Sequence, residues 1–313
     1  MTRARIGANI ARMRTHLAAI AAIAAITAAA LGAASALASD IHLVHAGTLV
    51  AVPGEAPMRQ ATVVVRDRTI ERVADGYLGE GDVAAGPDDT VTVHDLREMT
   101  VLPGLIDGHV HLTHESNPGQ RLEAVEMSDA DRALMAAAHA RDTLMAGFTT
   151  VRDVGAGDGD AIFALRDAAE RGLVPSPRIY ASGATISVTG GHGDGTQGYR
   201  DDVAAMMRSK GVCDGPDSCR AAVREQVRRG ADHIKLTATG GVLSNTATGT
   251  EQQFTDAELD AIMDTAHAMG RKVTAHAHGK GGIEAALRAG VDSIEHGTYL
   301  DEKTAREFQR TGA

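Results

Sequence analysis

Two histidines separated by one residue, His109 and His111, are the first side chains along the sequence whose spacing could support chemistry. They end the segment GLIDGHVHL, which is typical of a β-strand. Successive side chains of a strand point to opposite faces, so these two imidazoles should lie on the same side. Two neutral imidazoles close together form half of a site for Zn²⁺ or a similar ion. A pair of surface histidines is the alternative, and the apolar run VLPGLID before them argues against it because that run predicts a buried strand.

A lysine and two more histidines follow the same pattern. His276 lies in VTAHAHG and His296 in VDSIEHG, both short apolar runs. Lys235 lies inside the apolar segment ADHIKLTATGG, where a buried ammonium group is costly. One interpretation is a lysine paired with a buried carboxylate. The other is a lysine carboxylated by CO₂, because the resulting carbamate is an anion that can bridge two metal ions, and such ions lower the pKa of bound water and polarise a carbonyl group.

The elements that must position these side chains are six β-then-α units in series from about residue 100 onward. This order predicts a parallel sheet with helical crossovers, which an open sheet and a (β/α)₈ barrel both satisfy. The polar residues favour the barrel, since they follow predicted strands and a barrel gathers the carboxyl ends of its strands around one mouth. We therefore predict an α/β fold, a (β/α)₈ TIM-type barrel truncated after about six units. The residues at the mouth would be His109, His111, Lys235, His276, His278 and His296.

The sequence divides into three predicted parts. Residues 1–38 have a basic start, an apolar middle and a small-residue exit, which together indicate a signal peptide. Residues 39–100 carry short alternating runs between turn residues and predict a small β-sandwich subdomain. Residues 101–313 form the predicted barrel. Within it, Thr255 and Glu258 have the spacing of a helix N-cap and its capping-box partner.

The signal peptide predicts a secreted or periplasmic protein with no stable membrane insertion after cleavage. A retained membrane anchor is the alternative, although an apolar run of roughly 18 residues is at the lower limit of spanning length. Removing residues 1–38, with their four arginines, changes the net charge from −10 to −14. That charge argues against nucleic acid or an anionic membrane as a partner and favours neutral or cationic substrates. Homo-oligomerisation is left open.

The chain has two cysteines, Cys213 and Cys219, in the segment GVCDGPDSCR. In an exported protein this spacing predicts a local disulfide that pins a loop. Two free thiols are the alternative. No thiolate or imidazole lies close enough in sequence to complete a metal site with the pair.

Several residues are candidates for substrate contact. His192 lies in a glycine-rich loop at residues 185–198, where it would overhang the barrel mouth or remain an ordinary loop histidine. His278 would contact substrate or replace His276 as a ligand. Gly240 and Gly241 follow the strand of Lys235 and could offer backbone N–H groups to substrate, or be ordinary loop glycines.

Taken together, these segments resemble the amidohydrolase superfamily, and within it the exported branch that contains imidazolonepropionase-like proteins and Xaa-Pro or Xaa-Arg/Lys dipeptidases. The resemblance covers nearly all of the chain after residue 38. It rests on the ordered motifs PGLIDGHVHL, GFTTVRDVG, TGGHGD, GADHIKLTATGGV, AHAHG and GVDSIEHGT.

The resemblance implies a centre with two divalent metal ions, expected to be Zn²⁺. His109 and His111 would hold the more buried ion, His276 and His296 the other, and Lys235 would bridge them as a carbamate. The implied activity is hydrolysis of a C–N amide bond by a hydroxide that the two ions activate, with a small molecule or a dipeptide ending in Pro, Arg or Lys as substrate. Cyclic-amide opening or deamination at the same site is a second possibility.

One family feature has no counterpart in this sequence. The family places a proton-accepting aspartate at the end of its eighth barrel strand, and we find no such strand. Asp107 is expected to lie deeper on its strand, and strand alternation predicts that Glu295 points away from the face of His296. The sequence is therefore expected to be a fragment of a longer protein. A chain that is catalytically incomplete and has a binding or relic role is the alternative.

Overall fold

A computed structural model describes residues 38–242, 244 and 248–313 of the chain. The predicted signal peptide lies outside the described residues except for Ala38. No helix within the described residues has the length and apolar character needed to cross a membrane. The chain forms two compact units, which divide after Pro103.

The first unit is built on one four-stranded sheet in the order β3-β2-β1-β4. Strand β1 pairs antiparallel with β2 and parallel with β4, and β2 pairs antiparallel with β3. Ile41 and Leu43, two apart on β1, are fully buried on one face, as period-2 alternation predicts. The described residues of this unit contain a single sheet, so the second layer of the predicted sandwich is not seen among them. The strands are β1 (Asp40–Leu49), β2 (Met58–Arg66), β3 (Thr69–Asp75) and β4 (Thr90–Val101).

The second unit alternates strands and helices, as the sequence predicts. Its strands are β5 (Leu105–Val110), β6 (Phe148–Asp153), β7 (Arg178–Ala181), β8 (His233–Thr237), β9 (Lys272–Ala277) and β10 (Ser293–His296). Its helices are α1 (Gln120–Glu126), α2 (Asp129–Met145), α3 (Ala161–Glu170), α4 (Asp201–Met207), α5 (Pro216–Arg229), α6 (Asp256–Ala268), α7 (Lys280–Ala289) and α8 (Glu302–Thr311). The short helices α1 and α4 lie in segments for which the sequence predicts no helix.

The six strands of this unit form two parallel three-stranded sheets, β5-β6-β7 and β8-β9-β10. A parallel bridge between Ile186 and Leu236 joins the chain after β7 to β8. The N–H of Ile186 donates to the carbonyl of Lys235 at 2.8 Å, and the N–H of Thr237 donates to the carbonyl of Ile186 at 3.0 Å. Successive parallel strands with helical crossovers agree with the barrel-type α/β fold predicted above.

The core of the second unit is packed around β8 and β9. Every residue of β8 is buried, and so is every residue of β9 after Lys272. Near-continuous burial is expected of a parallel strand that is covered on both faces. Ile162 of α3, Ile262 of α6 and Ile283 of α7 are fully buried and belong to the same apolar cluster as the two strands.

Strand β5 differs from this pattern, and the predicted burial of VLPGLID is wrong. Leu105 is 42% exposed and Ile106 is 73% exposed. In the described part of the chain β5 has β6 as its hydrogen-bonded neighbour and no strand on its other side. The strand is therefore at a sheet edge, where apolar side chains lack the second neighbour that would cover them.

Two local predictions are confirmed. The Thr255 hydroxyl accepts a bond from the N–H of Glu258, and the Glu258 carboxylate accepts from the N–H of Thr255 at 2.8 Å, so α6 begins with a capping box. Cys213 and Cys219 form a disulfide with a Cα–Cα distance of 5.0 Å. The Glu258 carboxylate also accepts from the N–H of Gly215 at 2.6 Å, which ties the disulfide loop to the start of α6.

Candidate functional site

A connected cluster of imidazole rings lies at the carboxyl ends of the strands of the second unit. The ring of His296 is 5.1 Å from that of His109 and 4.6 Å from those of His276 and His278, centroid to centroid. His192 stacks on His276 at 4.1 Å. The tertiary structure thus brings together histidines that are up to 187 residues apart in the sequence.

Three of these histidines meet the geometric requirement for one metal ion. One ring nitrogen each from His276, His278 and His296 lies within 4.8 Å of the other two. The sequence interpretation preferred His276 over His278 as a ligand, whereas the structure groups both with His296. Imidazole nitrogens in this arrangement are the donors that Zn²⁺ and similar ions prefer.

His109 and His111 lie beside this triad with their rings 5.4 Å apart. The Nδ1 atom of His111 is 2.8 Å from the carbonyl oxygen of Gly155. A carbonyl oxygen only accepts, so Nδ1 carries the proton and Nε2 is left with a free lone pair. The Nδ1 atom of His109 is 2.8 Å from a carboxylate oxygen of Glu295, which has the same consequence for its Nε2. Both rings are therefore oriented as metal ligands commonly are.

Gly155 allows this approach to His111. Its φ of +151° is rarely adopted by residues with a side chain, and a Cβ atom there would lie 2.7 Å from the Thr185 hydroxyl. The N–H of Gly155 also donates to Asp153 at 3.2 Å.

Lys235 lies in the middle of β8 and is 4% exposed. Burial lowers the pKa of its ammonium group to about 8. Among the described residues, its Nζ has no carboxylate within ion-pair distance and donates no hydrogen bond. The charges of two buried carboxylates, Glu295 and Asp153, act on Lys235 and oppose the effect of burial, but among the described residues neither forms an ion pair with Nζ. The choice between a lysine near a carboxylate and a carboxylated lysine therefore stays a prediction.

The imidazoles around Lys235 are held in their neutral form. Burial lowers the pKa of His276 to about 2 and that of His296 to about 4. His111 keeps an exposed surface, yet loss of water from its surroundings lowers its pKa to about 4 as well. The positive charge of Lys235 contributes to all three shifts, so its Nζ is within electrostatic reach of each ring. Neutral imidazoles are the form that binds metal.

His192 reaches the cluster from the loop after β7. Burial lowers its pKa to about 4, and its Nδ1 is buried with no hydrogen-bond partner among the described residues. The ring lies so close to Gly241 that a Cβ atom there would be 2.7 Å from His192 Nδ1. The structure places His192 beside the histidine cluster, and its contact with substrate stays a prediction.

Gly240 and Gly241 were expected to offer backbone N–H groups to substrate, and both of these groups have partners within the protein. The N–H of Gly240 donates to the carbonyl of Glu251 at 3.3 Å, and the N–H of Gly241 donates to the Ser244 hydroxyl at 2.9 Å. These amides are already bonded within the protein. The geometry instead favours Gly241 as the position that makes room for His192.

The sequence interpretation missed two charged residues, Arg152 and Asp153, and it set Glu295 aside. Asp153 is fully buried at the end of β6 and accepts a bond from the N–H of Leu112 at 2.7 Å. Burial raises the pKa of Asp153 to about 7, although its bonds to backbone N–H groups oppose the shift. Arg152 and Asp153 stand inside the apolar segment FTTVRDVG, so the reasoning that singled out Lys235 could have found them.

The orientation of Glu295 differs from the one expected from the sequence. Strand alternation predicts that it points away from His296, yet it is 8% exposed and bonded to His109. Burial opposes its ionisation, but hydrogen bonds from His109 and Thr274 and the charge of Arg152 outweigh burial and lower its pKa to about 2. His296 has a φ of +75°, so regular strand geometry ends there and both side chains can reach His109.

Two further residues, Asp107 and His233, lie on the strands that carry the candidate ligands. Asp107 accepts from the N–H of His109 at 2.9 Å within its own strand and so bonds locally. His233 is 6% exposed and lies two residues before Lys235 on β8.

The fold and the site define a class of protein, and comparison with known families names it. The family described as the amidohydrolase family matches residues 100–310. The chain belongs to the amidohydrolase family, whose members are metal-dependent hydrolases of C–N bonds.

Several individual members of known structure or activity are similar to this chain. The ochratoxinase of Aspergillus niger is 32% identical over 286 residues, which are 87% of this chain and 57% of that protein. A crystal structure of a Xaa-Pro dipeptidase with methionine bound in the active site matches with a TM-score of 0.77 and 38% identity, over 87% of this chain and 65% of that one. A prolidase complexed with N-methylphosphonate-L-proline matches with a TM-score of 0.73 and 33% identity, over the same shares. The chain thus spans less than two thirds of the length of these relatives.

Proposed function

We propose that the protein is an exported amidohydrolase that cleaves a C–N amide bond at a centre with two divalent metal ions. The observation that carries the proposal is a connected cluster of five imidazoles together with Lys235, a buried lysine whose charge reaches three of these rings and which forms no ion pair among the described residues. The five are His109, His111, His276, His278 and His296. For the whole protein we propose a closed (β/α)₈ barrel, which the likeness to the Xaa-Pro dipeptidase structure supports, and a β-sandwich subdomain.

The residues fit a metal centre chemically. Their neutral imidazoles supply nitrogen donors, and Lys235 can supply an anionic oxygen ligand. A pKa of about 8 leaves part of the Lys235 amine neutral near neutral pH. The neutral amine attacks the carbon of CO₂, the nitrogen loses a proton, and the product is a carbamate anion. We propose that Lys235 in this form would supply an anionic oxygen ligand to both ions, which we expect to be Zn²⁺.

Each group of the chain then has a task. When bound, the two metal ions would lower the pKa of water and polarise the carbonyl group of the scissile amide. His111 keeps Nε2 free by donating from Nδ1 to Gly155. His192, stacked on His276 with its Nδ1 unpartnered in the described residues, would hold a polar group of the substrate.

For the substrate we propose a dipeptide with proline, arginine or lysine at its carboxyl end. Two of the matched structures are of a Xaa-Pro dipeptidase and a prolidase, and ochratoxinase shares a comparable identity. Export is part of the proposal and rests on the signal-like order of residues 1–38. The disulfide between Cys213 and Cys219 supports it, because disulfides persist in oxidising compartments.

Metal analysis of the chain tests the central claim. We expect two zinc ions per chain, with a loss of bound metal in Lys235→Met, which keeps the side-chain length but removes the amine. Labelling with ¹³C-bicarbonate should give a carbamate carbon signal that is absent from the variant. Lys303→Met, on the exposed face of α8, is the matched control. One ion per chain, unchanged by Lys235→Met, contradicts the bridge.

Substrate and export need separate measurements. Protein expressed from its complete gene should hydrolyse members of a panel of Xaa-Pro, Xaa-Arg and Xaa-Lys dipeptides. Ring opening of a lactam or release of ammonia, without cleavage of any dipeptide, would favour cyclic-amide hydrolysis or deamination instead. Mass spectrometry of the exported protein should find Ser39 as its first residue.

A further inference from the structure

A polar network lies beside His109 and is centred on Glu295. One carboxylate oxygen of Glu295 is 2.8 Å from His109 Nδ1. The other accepts from the Thr274 hydroxyl at 2.7 Å and from Nη2 of Arg152. The carboxylate thus joins residues from four different strands, β5, β6, β9 and β10.

Arg152 is held from two sides. Its Nε donates to the carbonyl of Gly108 on β5 at 2.8 Å. Its Nη1 donates to the Ser293 hydroxyl on β10 at 3.1 Å, and that hydroxyl in turn donates to Thr274 at 2.8 Å. In the part of the chain that the structure describes, β5 and β10 share no backbone pairing. These side chains therefore connect the strand of His109 to the strand of Glu295.

The bond between Glu295 and His109 has a directional consequence. A carboxylate can only accept, so Nδ1 of His109 carries a proton, and in the neutral form of the ring Nε2 then presents its lone pair. A carboxylate on the far nitrogen also fixes the orientation of the ring and raises the basicity of the free nitrogen. Arg152 compensates the negative charge of this largely buried carboxylate, which would otherwise be costly.

We propose that Glu295, held by Arg152 and Thr274, is a positioning residue that locks His109 in the tautomer and ring orientation needed to bind metal. The inference rests on the proposed function, since it assigns His109 as a ligand. It gives Glu295 a task that neither strand alternation nor the amidohydrolase motifs assign to it. The residue acts through His109 and does not itself touch the reacting atoms.

The first test measures the His109 tautomer in the metal-free chain. Long-range ¹H–¹⁵N spectra, with His109 assigned by its loss in His109→Gln, should show the proton on Nδ1. In Glu295→Ala this preference should be lost, so that both tautomers are seen. A proton on Nε2 in the unsubstituted chain overturns the inference. This measurement needs no metal, so its outcome is separate from that of the metal analysis under the proposed function.

The second test measures metal affinity by competition with a chromophoric chelator, using Co²⁺ and Zn²⁺. Glu295→Gln keeps the size of the side chain and can still accept a bond, but it lacks the charge. We expect roughly a tenfold loss of affinity for Glu295→Gln and about a hundredfold loss for Glu295→Ala, the range found when partners of metal-bound histidines are removed. The Co²⁺ absorption spectrum should change in both variants.

Two controls separate positioning from general stability. Glu170→Gln, exposed at the end of α3, should bind metal as the unsubstituted chain does. Arg152→Lys keeps the positive charge but not the three donated bonds, and we expect an affinity between those of Glu295→Gln and the unsubstituted chain. Unchanged affinity and spectrum in Glu295→Gln and Glu295→Ala, with both variants folded by circular dichroism, overturns the inference. If Glu295→Ala does not fold, Glu295→Gln decides alone.

Discussion

Strands β5 and β8 both carry candidate metal-binding residues, but they are held in the second unit by different means. All five residues of β8 are buried, whereas Ile106 of β5 is 73% exposed. Strand β8 has a backbone partner on each side, with β9 on one and the Ile186 bridge on the other. Strand β5 has backbone pairing with β6, and within the described residues its other side carries none.

The difference shows two ways of fixing a metal ligand. Lys235 and His276 take their positions from strands that the sheet and the surrounding helices already immobilise. His109 and His111 lie on or just after a strand that is at a sheet edge in the described residues, and each ring nitrogen Nδ1 has one hydrogen-bond partner, Glu295 for His109 and Gly155 for His111. Ligands of the first kind should tolerate the loss of one polar neighbour better than ligands of the second kind.

The largest expected effect compares one substitution on both strands. Ile234→Ala on β8 removes a fully buried side chain and should reduce the free energy of unfolding by about 2–5 kcal/mol. Ile106→Ala on β5 should cost about 0.5 kcal/mol or less, because its side chain is exposed. Chemical denaturation of both variants measures the two values. Equal losses in the two variants would contradict the difference in burial between β5 and β8.

Burial of β8 also predicts a pH dependence of stability. Burial lowers the pKa of His233 from 6.5 to about 4. Between these pH values the unfolded chain binds more protons than the folded chain, so the free energy of unfolding rises with pH. In the metal-free chain this rise should be larger than in His233→Leu, by on the order of 3 kcal/mol from pH 4 to 7.

Denaturation curves at several pH values, with chelator present, measure this difference. His94→Leu, at an exposed position on β4, is the matched control. The same slope in His233→Leu and the unsubstituted chain would show that His233 is accessible to protons.

A smaller effect is expected at the disulfide, which braces the chain beside β8. The N–H of Cys213 donates to the carbonyl of Ser187 at 2.9 Å, next to the Ile186 bridge. Replacing Cys213 and Cys219 together by Ala should lower the free energy of unfolding by about 2 kcal/mol, the size expected for a short cross-linked loop. Reduction of the unsubstituted chain by dithiothreitol should give a similar loss, and no loss in either case would contradict a stabilising disulfide.

A substitution at Asp153, with a smaller expected effect than loss of the disulfide, tests the contacts on the β5 side. Asp153→Asn leaves one oxygen to serve the N–H groups of Leu112 and Gly155, so one buried donor loses its partner. We expect a loss of about 1–2 kcal/mol in the free energy of unfolding. Metal affinity should fall as well, because Leu112 directly follows His111. A loss of stability with unchanged metal affinity would show that His111 does not depend on this contact.

Much of the fold was predictable because its signals are local. The order of strands and helices follows from hydrophobic periods, and the capping box at Thr255 and the disulfide at Cys213 follow from spacing over a few residues. The parallel arrangement follows from the β-then-α order. The short helices α1 and α4 were not predicted, since each is a seven-residue segment with too few residues for a periodic signal.

The candidate site was also predictable only in part. Residue types and their places after strands identify His109, His111, Lys235, His276 and His296, because polar residues at the ends of apolar strands are a local pattern. The sequence alone did not reveal that β5 is exposed, because an apolar run has the same composition at a sheet edge as in a sheet centre. Whether the run is covered depends on which strands pair with it.

The bond between Glu295 and His109 was decided by tertiary structure alone. It joins residues 186 positions apart. Strand alternation predicts that Glu295 and His296 lie on opposite faces, but the positive φ of His296 ends the regular strand, so this prediction does not hold. The sequence determined which ligand types this protein has and the order in which they occur. The tertiary structure decided which of them meet and what holds each one, because contacts between distant strands depend on the packing of all the segments between them.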